Sequence, residues 1–213
     1  MNPSIFVILF LCFSITTPFK EQADLPETTS VTPQTLDERK ELEKVVKAIF
    51  QHLKNKELDI LNQRYIHKEL GFYDVYRIGV ADLFQIRKEI EYVEGASPLS
   101  LYHTLVGGME GYDSVPGIAY AYVEFDCGSF LWNQEGLFIS GRLNYPSITQ
   151  IMTHAEKYED VRYTPEAYAQ AKQMEENSYR VVFTQADIIF YLSKISGRWY
   201  IRLVDRVTTD CSA

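Results

Sequence analysis

Residues 186–207 read Ala186-Asp187-Ile188-Ile189-Phe190-Tyr191-Leu192-Ser193-Lys194-Ile195-Ser196-Gly197-Arg198-Trp199-Tyr200-Ile201-Arg202-Leu203-Val204-Asp205-Arg206-Val207. Two runs rich in β-formers, Ala186 to Ile195 and Arg198 to Val207, flank Ser196-Gly197, a pair that suits a tight hairpin turn. Strict alternation on the second run places Trp199, Ile201, Leu203, Asp205 and Val207 on one face. Tyr200, Arg202, Val204 and Arg206 take the other. On the first run Ile188, Phe190 and Leu192 oppose Asp187, Ile189, Tyr191 and Ser193. An antiparallel hairpin packed against other layers follows from that pattern.

Working back along the chain, Ser147 to Glu159 and Pro165 to Glu176 read as helices, with Ser147 and Thr164 as N-caps and Pro165 in the first turn. Ile118 to Cys127 alternates small or apolar residues with Tyr120, Tyr122, Glu124 and Asp126, as a strand with one wet face would. Gly107, Gly108, Gly111, Pro116 and Gly117 mark an irregular loop. Residues 81–93 read as helical, and Gly71 to Gly79 as a strand or strand-like loop. Leu36 to Lys56 carries Leu42, Val45, Val46, Ile49, Phe50 and Leu53 at helical spacing, with lysines opposite, and a short helix follows over Leu58 to Tyr65. Helix first, a mixed middle and a closing antiparallel hairpin predict an α+β fold and argue against alternating βαβ units.

The chain has 213 residues, a formal charge of -8 and 46% hydrophobic residues. That is enough apolar material for one packed domain and excludes a mostly disordered chain. The acidic balance and the lack of Lys/Arg clusters argue against a nucleic-acid partner. The first nineteen residues hold no charged side chain, and Ile5 to Phe13 is an unbroken apolar run. Such a run is short for a membrane span and suits a secretory signal, with cleavage after Thr16. Residues 1–19 are therefore expected to be a signal or an anchor, 20–35 a tether, and 36–213 a single domain. The expected location is secreted or periplasmic, with a membrane anchor as the lesser alternative. Cys12 falls in the signal. Cys127 and Cys211 remain, either paired in an oxidising compartment or separate as small buried thiols.

The opening helix Leu36 to Lys56, together with Lys194-Ile195-Ser196-Gly197-Arg198-Trp199-Tyr200-Ile201, resembles the NTF2-like (SnoaL and ketosteroid-isomerase) superfamily. The chain also resembles small secreted bacterial proteins of unknown function. The superfamily resemblance implies a curved antiparallel sheet, an NTF2-like cone wrapped around helices, with a pocket on its concave face. It implies a shape more than an activity, since some members catalyse and many only bind or dimerise. The length and the helical stretch over 147–176 depart from that pattern.

No His-Glu-x-x-His, Cys-x-x-Cys, Gly-x-Ser-x-Gly or Walker pattern occurs, and His52, His67, His103 and His154 are scattered. No metal site and no cofactor are expected. Asp205 shares a predicted face with Trp199, Ile201 and Leu203; burial there would make it a general base, with Tyr191 or Tyr200 donating to an oxyanion. The structural alternative ties Asp205 to Arg202 or Arg206, and Asp187 has the same two readings. Glu124 and Asp126 form a nonspecific acid pair, too few oxygens for calcium. Tyr73, Tyr76, Tyr120, Tyr122 and Trp132 offer rings for a sugar or a peptide, and Tyr120, Tyr122 and Trp199 are the ligand-binding candidates. The preferred expectation is a secreted, non-catalytic domain that binds a small ligand or a protein partner, a second copy of the chain included. A small-molecule isomerase or hydrolase and a carbohydrate- or peptide-binding surface protein are the alternatives.

Overall fold

The structure, a computed structural model, describes residues 35–92, 100–141 and 147–212. The expected signal, and the tether up to residue 34, lie outside the described residues.

Helix α1 (Leu36–Lys54) starts where Thr35 Oγ1 accepts the Glu38 N–H at 3.1 Å, with Asp37 and Glu38 at the positive end of the dipole. Its apolar stripe, Leu42, Val46, Ile49, Phe50 and Leu53, is buried. Helix α2 (Leu58–Tyr65) adds Leu61 to the same layer. Strands β1 (Phe72–Ile78) and β2 (Ala81–Arg87) pair antiparallel around the two-residue turn Gly79-Val80, where Gly79 takes φ +61°. The helical expectation for 81–93 is thus corrected: residues 81–87 are an edge strand. Its pairing with β1 satisfies backbone groups that a free helix would have satisfied locally.

Helix α3 (Leu101–Leu105) and a 3-10 turn (Gly107–Met109) precede β3 (Ile118–Tyr120). The strand expected to run from Ile118 to Cys127 stops at Tyr120. Phe125–Asp126 (β4) instead pairs with Leu131–Trp132 (β5) in a separate small hairpin. The remaining elements are β6 (Leu137–Gly141), α4 (Ile148–Tyr158), α5 (Pro165–Glu176), β7 (Ser178–Phe183), β8 (Ile188–Ile195) and β9 (Arg198–Asp205). Helices α4 and α5 match the expectation, with Ser147 and Thr164 capping as read.

The main sheet runs β2-β1-β9-β8-β7-β6-β3, so the closing hairpin supplies its centre. Ser196 (φ 49°) and Gly197 (φ 79°) make the turn, both in the left-handed region that a two-residue hairpin loop prefers. The sheet is mixed rather than antiparallel throughout: β1 lies parallel to β9, and β3 parallel to β6. It is α+β, as expected, but the sheet is not curled into a cone. Helices cover both its faces. On one, α1, α2 and α3 bury Phe50 against Phe183 and Phe190, with ring centroids 5.6 and 5.4 Å apart. On the other, Ile148 and Met152 of α4 and Ala171 and Met174 of α5 pack on Tyr73, Val182, Ile189, Tyr191 and Leu203.

Residues Ile201 and Leu203 face Leu192 and Tyr191, which are adjacent, so Arg202 is one residue too many on β9. This β-bulge shifts the alternation. Trp199 and Ile201 point to the α1 layer and are joined there by Val204, whereas Leu203 and Val207 belong to the α4–α5 layer. The single face expected for Trp199, Ile201, Leu203, Asp205 and Val207 is therefore split.

Cys127 and Cys211 are bonded, with Cα atoms 5.5 Å apart and a sequence separation of 84. Closing a loop of that length stabilises the fold by roughly 4–5 kcal/mol in the chain-entropy model. Among the described residues, no helix is long and apolar enough to cross a membrane.

Candidate functional site

Buried charge separates the parts of this sheet. Asp74 on β1 is fully buried and takes a two-point contact from Arg206, with Nε 2.8 Å from Oδ1 and Nη2 3.0 Å from Oδ2. Arg87 Nε adds a third contact to Oδ2 at 2.8 Å. Beside them Arg77 Nε reaches Asp82 Oδ1 at 2.7 Å, and its Nη1 donates to the Asp210 carbonyl. These are closed ion pairs with directional hydrogen bonds on both partners.

Arg180 on β7 is the opposite case. It is 3% exposed, yet it pairs with no carboxylate among the described residues. Nη1 donates to the Val123 carbonyl at 2.9 Å, and Nε is buried without an acceptor. The guanidinium lies 5.9 Å from the Tyr122 ring centroid and 5.7 Å from that of Trp132. Ring faces compensate a cation only partly, so a donor remains unused. Arg180, Tyr122 and Val123 line an open cleft of about 490 Å³, with Glu124, Asp126 and Asn133 at its rim.

The rim is ordered locally. Asp126 accepts from the Gly128 N–H at 2.9 Å and from the Ser129 hydroxyl at 2.8 Å, and these contacts hold its carboxyl below the usual range. Asn133 Oδ1 accepts the Glu124 N–H at 3.1 Å. Desolvation, and next the neighbouring Glu124 carboxylate, push the Tyr122 hydroxyl up, while Arg180 opposes them. Phe130 and Leu131, at the tip of the small hairpin, are 67% and 65% exposed. The disulfide bonds Cys127, the residue after Asp126, to the chain end beyond β9.

Of the three ligand-binding candidates, Tyr122 alone lines this cleft. Tyr120 packs against the α1 layer beneath Arg39, whose guanidinium is 3.8 Å from the ring centroid. Trp199 is buried in the same layer against Tyr179, 5.6 Å between centroids. Asp205 is buried, but its carboxylate accepts the Val207 and Thr208 N–H groups at 2.9 and 3.0 Å and the Thr208 hydroxyl at 2.5 Å. It orders the turn after β9. Tyr191 is buried between the sheet and the α4–α5 layer, and Tyr200 stacks edge-on with His67 at 5.0 Å. Asp187 is exposed and accepts the Trp132 indole N–H at 2.8 Å. These candidates do not converge on one cavity.

Asp187 does line a larger cavity of 650 Å³, with Arg77, Arg206, His103 and Cys211. Both arginines there are held by Asp82 and Asp74, and His103 Nδ1 is 2.9 Å from the Ser100 hydroxyl. The arginine charges of that cavity are already matched within the protein. Among the described residues, no group of three or more His, Cys, Asp or Glu could hold a metal ion.

Sequence reasoning passed over Arg180. The signal was available: Arg180 interrupts an otherwise β-rich stretch, Ser178-Tyr179-Arg180-Val181-Val182-Phe183, that is buried throughout. A cation inside such a run demands a partner. Compared with protein-family models, curated proteins and solved structures, the chain matches none.

Proposed function

We propose that this chain is a secreted binding protein that holds an anionic, ring-bearing small ligand in the Arg180 cleft. The observation that carries this reading is the buried guanidinium of Arg180 with no carboxylate partner among the described residues. Taking such an ion out of water costs several kcal/mol, and an incoming oxyanion supplies the missing charge and acceptors. Tyr122 and Trp132 supply ring surface beside it, as the carbohydrate- or peptide-binding expectation requires. The disulfide and the apolar N-terminal run support secretion. An NTF2-like relationship would add a concave pocket; the Arg180 cleft stands without it. The engagement of Asp205 in its own turn favours binding over the isomerase or hydrolase alternative.

A second reading rests on Phe130 and Leu131. Their exposure on the small hairpin, where Leu131 pairs with the cleft residue Asp126, fits a protein partner resting there with its own carboxylate on Arg180.

Trp132 reports on the cleft. Titrating the protein with glucuronate and with benzoate is expected to change tryptophan fluorescence saturably, while glucose does not. Arg180→Met is expected to weaken both anions at least about 10-fold, the loss of a charge-assisted contact. Equal response to glucose, or unchanged affinity in Arg180→Met, would sink the proposal.

A further inference from the structure

Arg202, the extra residue of the β9 bulge, is the second buried arginine whose side chain has no partner among the described residues. It is 5% exposed, it makes no hydrogen bond within the described protein, and its Nε is sealed from solvent. A bulge re-aims a side chain out of the regular alternation, and here it turns Arg202 toward the α5 side of the sheet. There the residue lines a cavity of 290 Å³ between β8, β9 and α5.

The other walls fit one kind of ligand. Gln170, Gln173, Met174 and Asn177 recur at helical spacing on and just past α5, so they share one face. No side-chain hydrogen bond within the described protein occupies the amides of Gln170 and Gln173, whereas Asn177 donates to the Gln173 carbonyl at 2.8 Å. Met174 and Ile195 give apolar surface. Lys194 is engaged elsewhere, 2.6 Å from Glu41, and the Ser193 and Ser178 hydroxyls bond to each other at 2.6 Å. Among the described residues, no carboxylate lines the cavity. Glu175, the nearby acid on α5, accepts the Thr149 N–H at 2.9 Å and the Ser147 hydroxyl at 3.1 Å, closing the start of α4.

We infer that this cavity is a binding site for a small aliphatic carboxylate, clamped by the Arg202 guanidinium, with its chain on Met174 and Ile195. The volume suits a ligand of a few carbon atoms, at the lower end of the range for small-molecule pockets. A planar, two-point acceptor matches the guanidinium fork, and a carboxylate with a short apolar tail also uses the cavity's mixed lining. Burial lowers the proton affinity of Arg202 from its usual value, the direction expected for a cation lacking its counter-ion. The site is separate from the Arg180 cleft and does not depend on it.

Butyrate is the probe, with inorganic phosphate and butyramide as comparisons, followed in ¹H–¹⁵N spectra by the Nε–H signal of Arg202 and, in the Arg202 variants, by the backbone amide signals of Met174 and Ile195, which line the same cavity. Butyrate is expected to shift these signals saturably in the millimolar range, phosphate more weakly, and butyramide not at all. Arg202→Met is expected to lower butyrate affinity about 10- to 100-fold, and Arg180→Met to leave it unchanged. If Arg202→Met does not fold, Arg202→Lys carries the test, because it keeps the charge and loses the fork; a loss of about 10-fold is expected. The inference is overturned if butyrate gives no saturable shift, if butyramide or phosphate binds as well, or if the folded Arg202 variant binds as the wild type does. Loss of glucuronate binding in Arg180→Met with butyrate binding intact would separate the two sites.

Discussion

Asp74 and Arg180 are both buried charges on the same sheet, and they are satisfied in different ways. Asp74 is enclosed by Arg87 and Arg206, whose donors occupy both its oxygens. Arg180 has one carbonyl, two aromatic rings and an idle Nε. A closed ion pair holds the fold and offers nothing to a ligand. An open one contributes little to the fold and attracts whatever completes it. The disulfide connects the two settings, since Cys127 adjoins the rim of the Arg180 cleft and Cys211 lines the cavity containing Arg206.

The largest effect is expected from cutting that connection. Replacing Cys127 and Cys211 together by serine should remove roughly 4–5 kcal/mol, seen as a lower midpoint in urea. A stability unchanged by the double substitution would show that the two regions hold together without the bond.

Asp74→Asn should cost about 3–5 kcal/mol, because it leaves Arg206 and Arg87 facing a neutral group. Arg180→Met tests the other half of the contrast. It removes an uncompensated cation and one hydrogen bond, and these changes offset, so urea unfolding should move by no more than about 1 kcal/mol. A large loss in Arg180→Met, matching that of Asp74→Asn, would erase the distinction between closed and open charge.

The smallest effect concerns Tyr120, a ring beneath the arginine Arg39 of α1. Burial, with Glu43 adding to it, pushes its hydroxyl up to about 12. The folded value lies above the ordinary tyrosine value of roughly 10, so the linked stability is complete below that pH and is lost as pH rises toward 12. An alkaline titration of phenolate absorbance should show late-titrating tyrosines, and Tyr120→Phe should delete one of them. An early titration of Tyr120 would mean that Arg39, and not burial, controls the site.

Much of the helical framework was legible because it is local. The stripe Leu42 to Leu53 and the caps Thr164 and Ser147 act within a few residues of themselves. The turn Ser196-Gly197 was legible for the same reason. Strand β2 was missed because residues 81–87 carry no clean alternation, and their identity comes from the register Phe72↔Arg87 to Ile78↔Ala81. The candidate site was hidden more deeply. Tyr122 and Trp132 stand ten residues apart and meet around Arg180 only through the small hairpin and β7.

The sequence by itself determined the α+β class, the amphipathic helices, the closing hairpin and the two cysteines free to pair, since propensity, periodicity and composition are properties of short segments. Tertiary structure alone decided the mixed strand order, the bulge at Arg202, and which charges are matched. Those depend on which strands become neighbours, and pairing between distant segments leaves no periodic trace in either of them.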